Sequence, residues 1–204
     1  MKTSKSRSSI VVTVAIVLGM LVIVILFIAY WGIASTPITI YSYGKTTALS
    51  NTTGSSSDPQ IAATEKGDVY VVWRDETTGN GDIYFRKSTD YGDTFKNTKN
   101  LRGNNGSSSD PQIVSSNDSV AILWNESKNN NTEIHFQTIQ GDASSFDNST
   151  NLSENHLVSY SPHIFATGNN INVVWIDKVN SKNSYVEFKH INKEYLGGNN
   201  AARS

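Results

Sequence analysis

Three acidic residues recur at equal spacing, each two positions after a tryptophan: Asp75, Glu126 and Asp177, 51 residues apart. If neighbouring repeats converge on one axis, a ring of these carboxylates could bind sugar hydroxyls or Ca²⁺, an ion that prefers oxygen ligands. The competing interpretation is that each acid caps a turn, because Asp accepts hydrogen bonds from the backbone of its own turn. We favour turn capping and predict no cofactor, with Ca²⁺ as the one candidate ion.

The sequence predicts three repeats of short strands, as described below. A wider set of polar residues falls at the start of the first strand or at the end of the second strand of these repeats. In an antiparallel pair these two positions lie at the same end of the sheet. We therefore predict a ligand rim composed of Asp58, Arg74, Asp75, Asp110, Glu126 and Asp177. No catalytic set and no metal centre is predicted, since the four histidines lack metal-ligand spacing.

The composition limits the kinds of partner and site. Hydrophobic residues make up 37% of the chain, charged residues 17%, and the net charge is −1, so nothing electrostatic favours nucleic-acid binding. The chain has no cysteine, which excludes disulfides, zinc–thiolate sites, cysteine nucleophiles and a lipid-anchored cysteine. The abundance of Ser, Thr, Asn and Gly is typical of a β-rich protein with a hydroxyl- and amide-bearing surface.

The elements that must position these residues are short strands in three repeats. The heptapeptide SSSDPQI occurs at Ser55–Ile61 and again at Ser107–Ile113, and Trp73, Trp124 and Trp175 keep the spacing of 51. A period near fifty residues built from strands is typical of propeller blades. We predict an all-β fold, a partial β-propeller of about three four-stranded blades, with repeats over about 55–106, 107–157 and 158–204. In the last repeat the fourth strand is weak or missing.

An apolar run precedes the repeats. Ile10–Trp31 contains no charged residue and as a helix would span roughly 30 Å, the thickness of a bilayer core. Basic residues lie before it, and the next charge is Lys45, so the positive-inside rule puts the N-terminus in the cytoplasm and the repeats outside. We predict a single-pass cell-membrane protein with a cytoplasmic tail (1–9), a transmembrane signal anchor (10–31), a linker with an outer strand Ile38–Tyr43 (32–54) and an extracellular domain (55–204). A cleaved signal peptide is the alternative.

One turn of the first repeat carries a family motif. The pattern S-x-D-x-G-x-T-[WF], the Asp box or bacterial neuraminidase repeat, is matched by Ser88, Asp90, Gly92, Thr94 and Phe95. From Asp58 to about Ile191 the chain therefore resembles the sialidase-like Asp-box propellers, and it also looks like archaeal surface propeller proteins. Asp90 is suited to accept N–H bonds in this turn, and Gly92 to take a positive φ. The resemblance implies that the Asp box is structural and lies opposite an active site.

The resemblance raises the question of glycosidase activity. It implies three arginines that hold the sugar carboxylate and a tyrosine nucleophile assisted by a glutamate and an aspartate. The segment Asp58–Ile61 stands where the family has an Arg-Ile-Pro element, and outside the predicted tail no arginine recurs at equivalent positions among Arg74, Arg86, Arg102 and Arg203. Because the chain alone lacks this arginine set, the alternative function is a sialidase-like exo-α-glycosidase whose active site is completed by self-association.

The leading hypothesis is a non-catalytic, membrane-anchored extracellular module that binds surface glycans or envelope proteins. The first and third blades would each expose an apolar face, which marks an association site, so we expect self-association, with two chains forming one ring. A fragment of a longer propeller is a third hypothesis. An exported domain is also open to glycosylation at its N-x-[ST] triplets, which begin at Asn51, Asn105, Asn117, Asn125, Asn130, Asn148 and Asn151.

Overall fold

The computed structural model describes residues 16, 18–26, 41–101, 106–116, 119–140 and 148–192. The chain divides into two compact units, Met1–Thr46 and Thr47–Ser204. In the first unit, residues 16 and 18–26 are helical and their apolar side chains are exposed. Within the described ranges, no helix has both the length and the apolar character needed to cross a bilayer. Most of the predicted anchor Ile10–Trp31 and all of the predicted cytoplasmic tail lie outside the described residues.

The second unit is all-β, and its described part forms eleven strands in three antiparallel sheets, each ordered as in the chain. Sheet 1 contains β1 (Ser56–Ala63), β2 (Val69–Asp75), β3 (Asp82–Ser88) and β4 (Lys99–Asn100). Sheet 2 contains β5 (Ser107–Ser116), β6 (Ser119–Lys128), β7 (Asn131–Gln140) and β8 (Thr150–Asn151). Sheet 3 contains β9 (Val158–Thr167), β10 (Asn170–Lys178) and β11 (Ser184–Asn192).

The three sheets are stacked face to face in sequence order. The first strands lie side by side, because β1 contacts β5 and β5 contacts β9. Each stacked pair of sheets encloses one apolar cluster. This arrangement is consistent with a partial propeller and confirms the prediction of an all-β fold.

The outer strands differ from the sequence prediction. Among the described residues of sheets 1 and 2, the fourth strand is only two residues long, Lys99–Asn100 and Thr150–Asn151. The Leu101 and Leu152 N–H groups also donate to carbonyls of the third strand. Sheet 3 has three strands up to Asn192, and the weak or missing fourth strand expected in the last repeat would fall in residues 193–204, outside the described residues. The predicted outer strand at Ile38–Tyr43 is wrong for Tyr41–Tyr43, which have no regular secondary structure, because alternating β-formers need a partner strand to pair with; residues 38–40 lie outside the described residues.

Burial along the second strands shows how the sheets are covered. Strand β6 is buried from Ser119 to Glu126 on both faces, because sheet 2 lies between sheets 1 and 3. In β10, burial alternates, with Ile171, Val173 and Trp175 packed against sheet 2. Alternation of this kind is typical of a sheet with one covered face. The other face of sheet 3 is therefore uncovered in the described structure.

Candidate ligand rim

The residues of the predicted rim lie at the same end of their sheets. In sheet 1, Asp75 closes β2 and pairs with Ser56 at the start of β1, and Arg74 pairs with Ser57. The other two sheets repeat this register, pairing Ser108 with Glu126 and Ser159 with Asp177. The Asp-box turn follows Ser88 at the other end of sheet 1, where Val69 pairs with Ser88.

A hydrogen-bonded network of one tryptophan, one acid and one serine recurs in all three sheets. In sheet 3, the Trp175 indole N–H donates to Asp177 at 2.8 Å and the Ser159 hydroxyl donates to Asp177 at 2.6 Å. The same acid network is formed in sheet 1 by Trp73, Ser56 and Asp75 and in sheet 2 by Trp124, Ser108 and Glu126. All three acids are buried, so they face the protein interior and the exposed part of the rim lies elsewhere.

Asp75 shows most clearly what the buried acids do. Besides Trp73 and Ser56, its carboxylate accepts hydrogen bonds from the Thr52 hydroxyl at 2.8 Å, the Thr77 backbone N–H at 2.9 Å and the Thr77 hydroxyl at 2.5 Å. Burial opposes the charged form, but the Thr77, Thr52 and Ser56 hydrogen bonds outweigh it and lower the pKa of Asp75 from 3.8 to about 2. Asp75 thus caps the turn after β2 and also ties Thr52 to the sheet.

The exposed acids of the rim lie in β-bulges of the first strands. Asp58 and Asp110 have φ values of 53° and 50°, and the ladder skips a residue between Ser57 and Gln60 and between Ser109 and Gln112. Each precedes a proline, which has no N–H to give to the ladder and is accommodated at a bulge. Ser161, with φ 53° before Pro162, is the equivalent residue in sheet 3.

Neighbouring side chains orient the two bulge aspartates, Asp58 and Asp110. The Asn125 amide donates to Asp110 at 2.6 Å, and the Ser57 hydroxyl donates to Asp58 at 3.0 Å. Asp58 and Asp110 themselves are exposed. Asn125 is buried and its amide is bonded to Asp110, so this N-x-[ST] triplet is not exposed in the folded sheet.

Arg74 connects sheet 1 to sheet 2. Its Nε–H donates to the Ser108 carbonyl at 3.2 Å, and its Nη1 lies 2.7 Å from Glu76 Oε1. The guanidinium also fills the space beside Gly81, where an added Cβ would lie 2.5 Å from Arg74 Nε. Arg74 is therefore half-buried and engaged by both sheets, close to the bulge that contains Asp110.

The rim offers no ready-made cation site. Throughout the described ranges, no three His, Cys, Asp or Glu residues converge in a way that could hold a metal ion. The three repeat acids are each enclosed in their own sheet, and the bulge aspartates belong to separate strands. The described residues therefore contain no cluster of ligands that would support the Ca²⁺ hypothesis.

The Asp-box turn is held by its own side chains. Asp90 accepts hydrogen bonds from the Ser88 hydroxyl at 2.6 Å, the Thr94 backbone N–H at 2.9 Å and the Thr94 hydroxyl at 2.5 Å. Gly92 has a φ of 95° and its N–H donates to Ser88 Oγ, while Phe95 is half-buried. The hydrogen bonds from Ser88 and Thr94 lower the pKa of Asp90 to about 2. Every polar group in the motif thus stabilises the turn.

The sequence prediction missed the serines of the acid networks and a partly buried ion pair. Ser56 and Ser108 stand inside the repeated heptapeptide, which was a usable signal, whereas Ser159 lies in a divergent segment. Lys87 Nζ lies 2.7 Å from Asp68 Oδ2 and over the Tyr70 ring. Burial opposes both charges, yet their mutual hydrogen bond outweighs it, lowering the pKa of Asp68 and raising that of Lys87.

No family model and no curated protein matches this chain. Among solved structures it is similar to an endo-arabinase from Bacteroides thetaiotaomicron VPI-5482, with a TM-score of 0.47 and 14% sequence identity, over 69% of this chain and 57% of the enzyme. The chain thus spans less than two thirds of that enzyme's length. The function of this chain has to be inferred from its own residues.

Proposed function

We propose that this chain is a non-catalytic, membrane-anchored module whose β-sheet domain lies outside the cell and binds surface glycans or envelope proteins at the rim. The observation that supports the proposal is the pair of bulge aspartates. Asp58 and Asp110 occupy equivalent bulges of neighbouring first strands, and both are exposed. A non-glycine residue at positive φ is uncommon. Its recurrence at Asp58 and Asp110 places two carboxylates on the same rim.

Glycans are the ligand class that fits these groups best. Ionised carboxylates accept several hydrogen bonds, and neighbouring sugar hydroxyls supply donors in pairs. The Asn125 amide bonded to Asp110 reduces the rotamer freedom that the carboxylate would lose on binding. The exposed Ser161 continues the series in sheet 3 with a hydroxyl.

The non-catalytic part of the proposal rests on where the remaining acids lie. The sialidase-like alternative would need free arginines that hold the sugar carboxylate, with acids accessible beside them. Asp75, Glu126 and Asp177 are buried in the acid networks, and Arg74 already contacts Ser108 and Glu76. The charged groups at this end of the sheets thus serve the fold, and the bulge aspartates remain for binding.

The anchoring part of the proposal rests on the sequence of the first unit. Ile10–Trp31 is uncharged, and basic residues lie before it at Lys2, Lys5 and Arg7. Protease treatment of intact cells tests it, because external protease should digest the repeats while a tag fused before Met1 stays protected. Loss of the tag together with the repeats would contradict the proposed topology.

The binding experiment uses the full chain in detergent micelles against a printed array of neutral and acidic oligosaccharides. We expect retained spots on the array and their loss in the double variant Asp58→Asn with Asp110→Asn. The matched control is Asp93→Asn, which removes one exposed carboxylate from the Asp-box turn at the other end of sheet 1 and should leave binding unchanged. Binding that survives the double variant would exclude the rim as the glycan site.

A further inference from the structure

The outer face of sheet 3, which faces away from sheet 2, is apolar, and no described residue covers it. Val174 and Ile176 on β10 pair with Phe188 and Val186 on β11, so these four side chains share one face. Val186 is 77% exposed and Phe188 is 63% exposed. Phe165 on β9 extends this open face and is also exposed. Contiguous apolar exposure of this kind marks an association surface.

The repeats show what covers this face elsewhere in the chain. Val186 is equivalent to Ile134 in sheet 2, which is 0% exposed, and Phe188 is equivalent to Phe136, which is 8% exposed. In sheet 2 these residues are covered by the next sheet, whose tryptophan-bearing face includes Val173 and Trp175. The chain thus makes the same junction twice, always between a Phe-bearing face and the tryptophan-bearing face of the following sheet.

The complementary face is found on sheet 1. Its Trp73 and Val71 face away from sheet 2 and are only 3% and 9% exposed. Thr47, Leu49 and Ser50 lie beside them and line, with Pro59, a cavity of about 330 Å³. The cover is partial, because Ile61 is 68% exposed whereas its equivalent Ile113 in sheet 2 is 9% exposed. The sequence prediction of an uncovered face on the first blade therefore holds only in part.

We propose that the open face of sheet 3 binds the exposed part of the tryptophan-bearing face of sheet 1, around Ile61, in a second copy of this chain. Each copy carries both halves of a junction that the fold already uses between sheets 1 and 2 and between sheets 2 and 3. The contact is head-to-tail, since two different surfaces meet. Such contacts form a closed ring where the rotation closes and an open stack where it does not.

The innermost strands give this junction a specific register. At the junction of sheets 1 and 2, the Ser115 hydroxyl donates to the Ala63 carbonyl at 2.6 Å. Ala166 is the equivalent of Ser115 in sheet 3, as its pairing with Ile171 shows. In a head-to-tail pair, Ala63 of one copy would lie beside Ala166 of the other copy, in the way that Ser115 lies beside Ala63 within one chain.

The chain has no cysteine, so introduced cysteines report this contact alone. The full-length variants Ala63→Cys and Ala166→Cys are purified separately in detergent micelles, mixed and oxidised. We expect a disulfide-linked dimer in the mixture and none with either variant alone. The double variant Ala63→Cys with Ser115→Cys is the positive control, because it should close a disulfide within one chain.

Two results would overturn the proposal. One is a mixture that stays monomeric on a non-reducing gel while the positive control forms its bond. The other is an Ala166→Cys variant that crosslinks to itself as readily as the mixture does, which would mean that two open faces pack together around a two-fold axis.

A second measurement does not depend on cysteine chemistry. The double variant Val186→Glu with Phe188→Glu changes side chains that are exposed in one chain, so its circular dichroism should match the wild type. In sedimentation its mass should fall to that of one chain, while Lys182→Glu in the adjoining exposed turn should leave the wild-type mass unchanged. A wild-type chain that is itself monomeric at micromolar concentration would refute self-association and leave a different protein as the occupant.

Discussion

Replacing Asp75 with Asn tests whether the acid networks stabilise the fold as charged acceptors. The Asp75 carboxylate receives five hydrogen bonds, and every partner atom is a donor: the Trp73 indole, the Ser56 and Thr52 hydroxyls, and the backbone and hydroxyl of Thr77. An Asn side chain of the same shape has one acceptor oxygen and one NH₂ group. The NH₂ group of the Asn would then face an N–H or O–H donor that the carboxylate of Asp75 had accepted, and the negative charge would be lost.

The magnitude follows from the pKa of Asp75. The hydrogen bonds lower this pKa from 3.8 to about 2, and at 1.36 kcal/mol per pKa unit the ionised form adds about 2 kcal/mol to the free energy of unfolding. Because the folded-state pKa is depressed, this contribution is fully present above the ordinary pKa near 4 and is lost as the pH falls toward 2. Wild type and Asp75→Asn should therefore differ by about 2 kcal/mol at neutral pH.

The assay is urea unfolding followed by tryptophan fluorescence, repeated at several values between neutral and acidic pH. The difference between wild type and Asp75→Asn should narrow steadily below pH 4, because Asp75 takes up a proton in the unfolded chain near its ordinary pKa of 3.8 but in the folded chain only near about 2. Asp93→Asn controls for the loss of one exposed charge and should show no such narrowing. A difference that stays constant down to the pKa of about 2 would refute the role of the ionised carboxylate.

Three further changes have defined outcomes. Replacing Asp90 with Ala removes the acceptor of the Thr94 N–H and should speed hydrogen exchange of the Thr94 amide without changing exchange in sheet 3. Gly67 and Gly79 share a φ of 90°, but an added Cβ meets the Tyr91 ring at 2.6 Å only at Gly67. Gly67→Ala should therefore lower the melting temperature more than Gly79→Ala, whose cost is the backbone strain of about 1 kcal/mol. Ile122→Ala empties a fully buried core position and should cost about 2–5 kcal/mol in urea unfolding.

The strands were predictable because their signal is local. Residues such as Val69–Arg74 form short apolar runs bounded by turn residues, and the tryptophan spacing fixes the repeat without any knowledge of contacts. The Asp-box turn was predictable for the same reason, since the donors to Asp90 lie within a few residues of it. The length of the fourth strands was not predictable from the sequence, because it depends on how many residues of each fourth strand pair with the third strand.

The burial of the repeat acids could not be read from the sequence. An acid that follows a strand is most simply interpreted as a solvent-facing cap, and Asp75 does cap its turn. Its burial depends on Ser56 and Thr52, which are about twenty residues away in the chain and become neighbours only through strand pairing and the covering segment. A carboxylate surrounded by donors tolerates burial that it would otherwise resist. The predicted rim therefore divides into a buried set and the exposed bulge aspartates.

The rim and the open face lie on different parts of sheet 3, so binding and assembly can be separated by mutation. Head-to-tail packing would place Asp58 of one copy next to Ser161 of the other copy, so that the rim would continue across the contact between the two copies. A ligand long enough to contact both copies would then bind with avidity set by the spacing of the copies. The Val186→Glu and Phe188→Glu variant should retain binding of short oligosaccharides and lose the added affinity for long ones. Equal loss for both lengths would mean that the open face itself contributes to the glycan site.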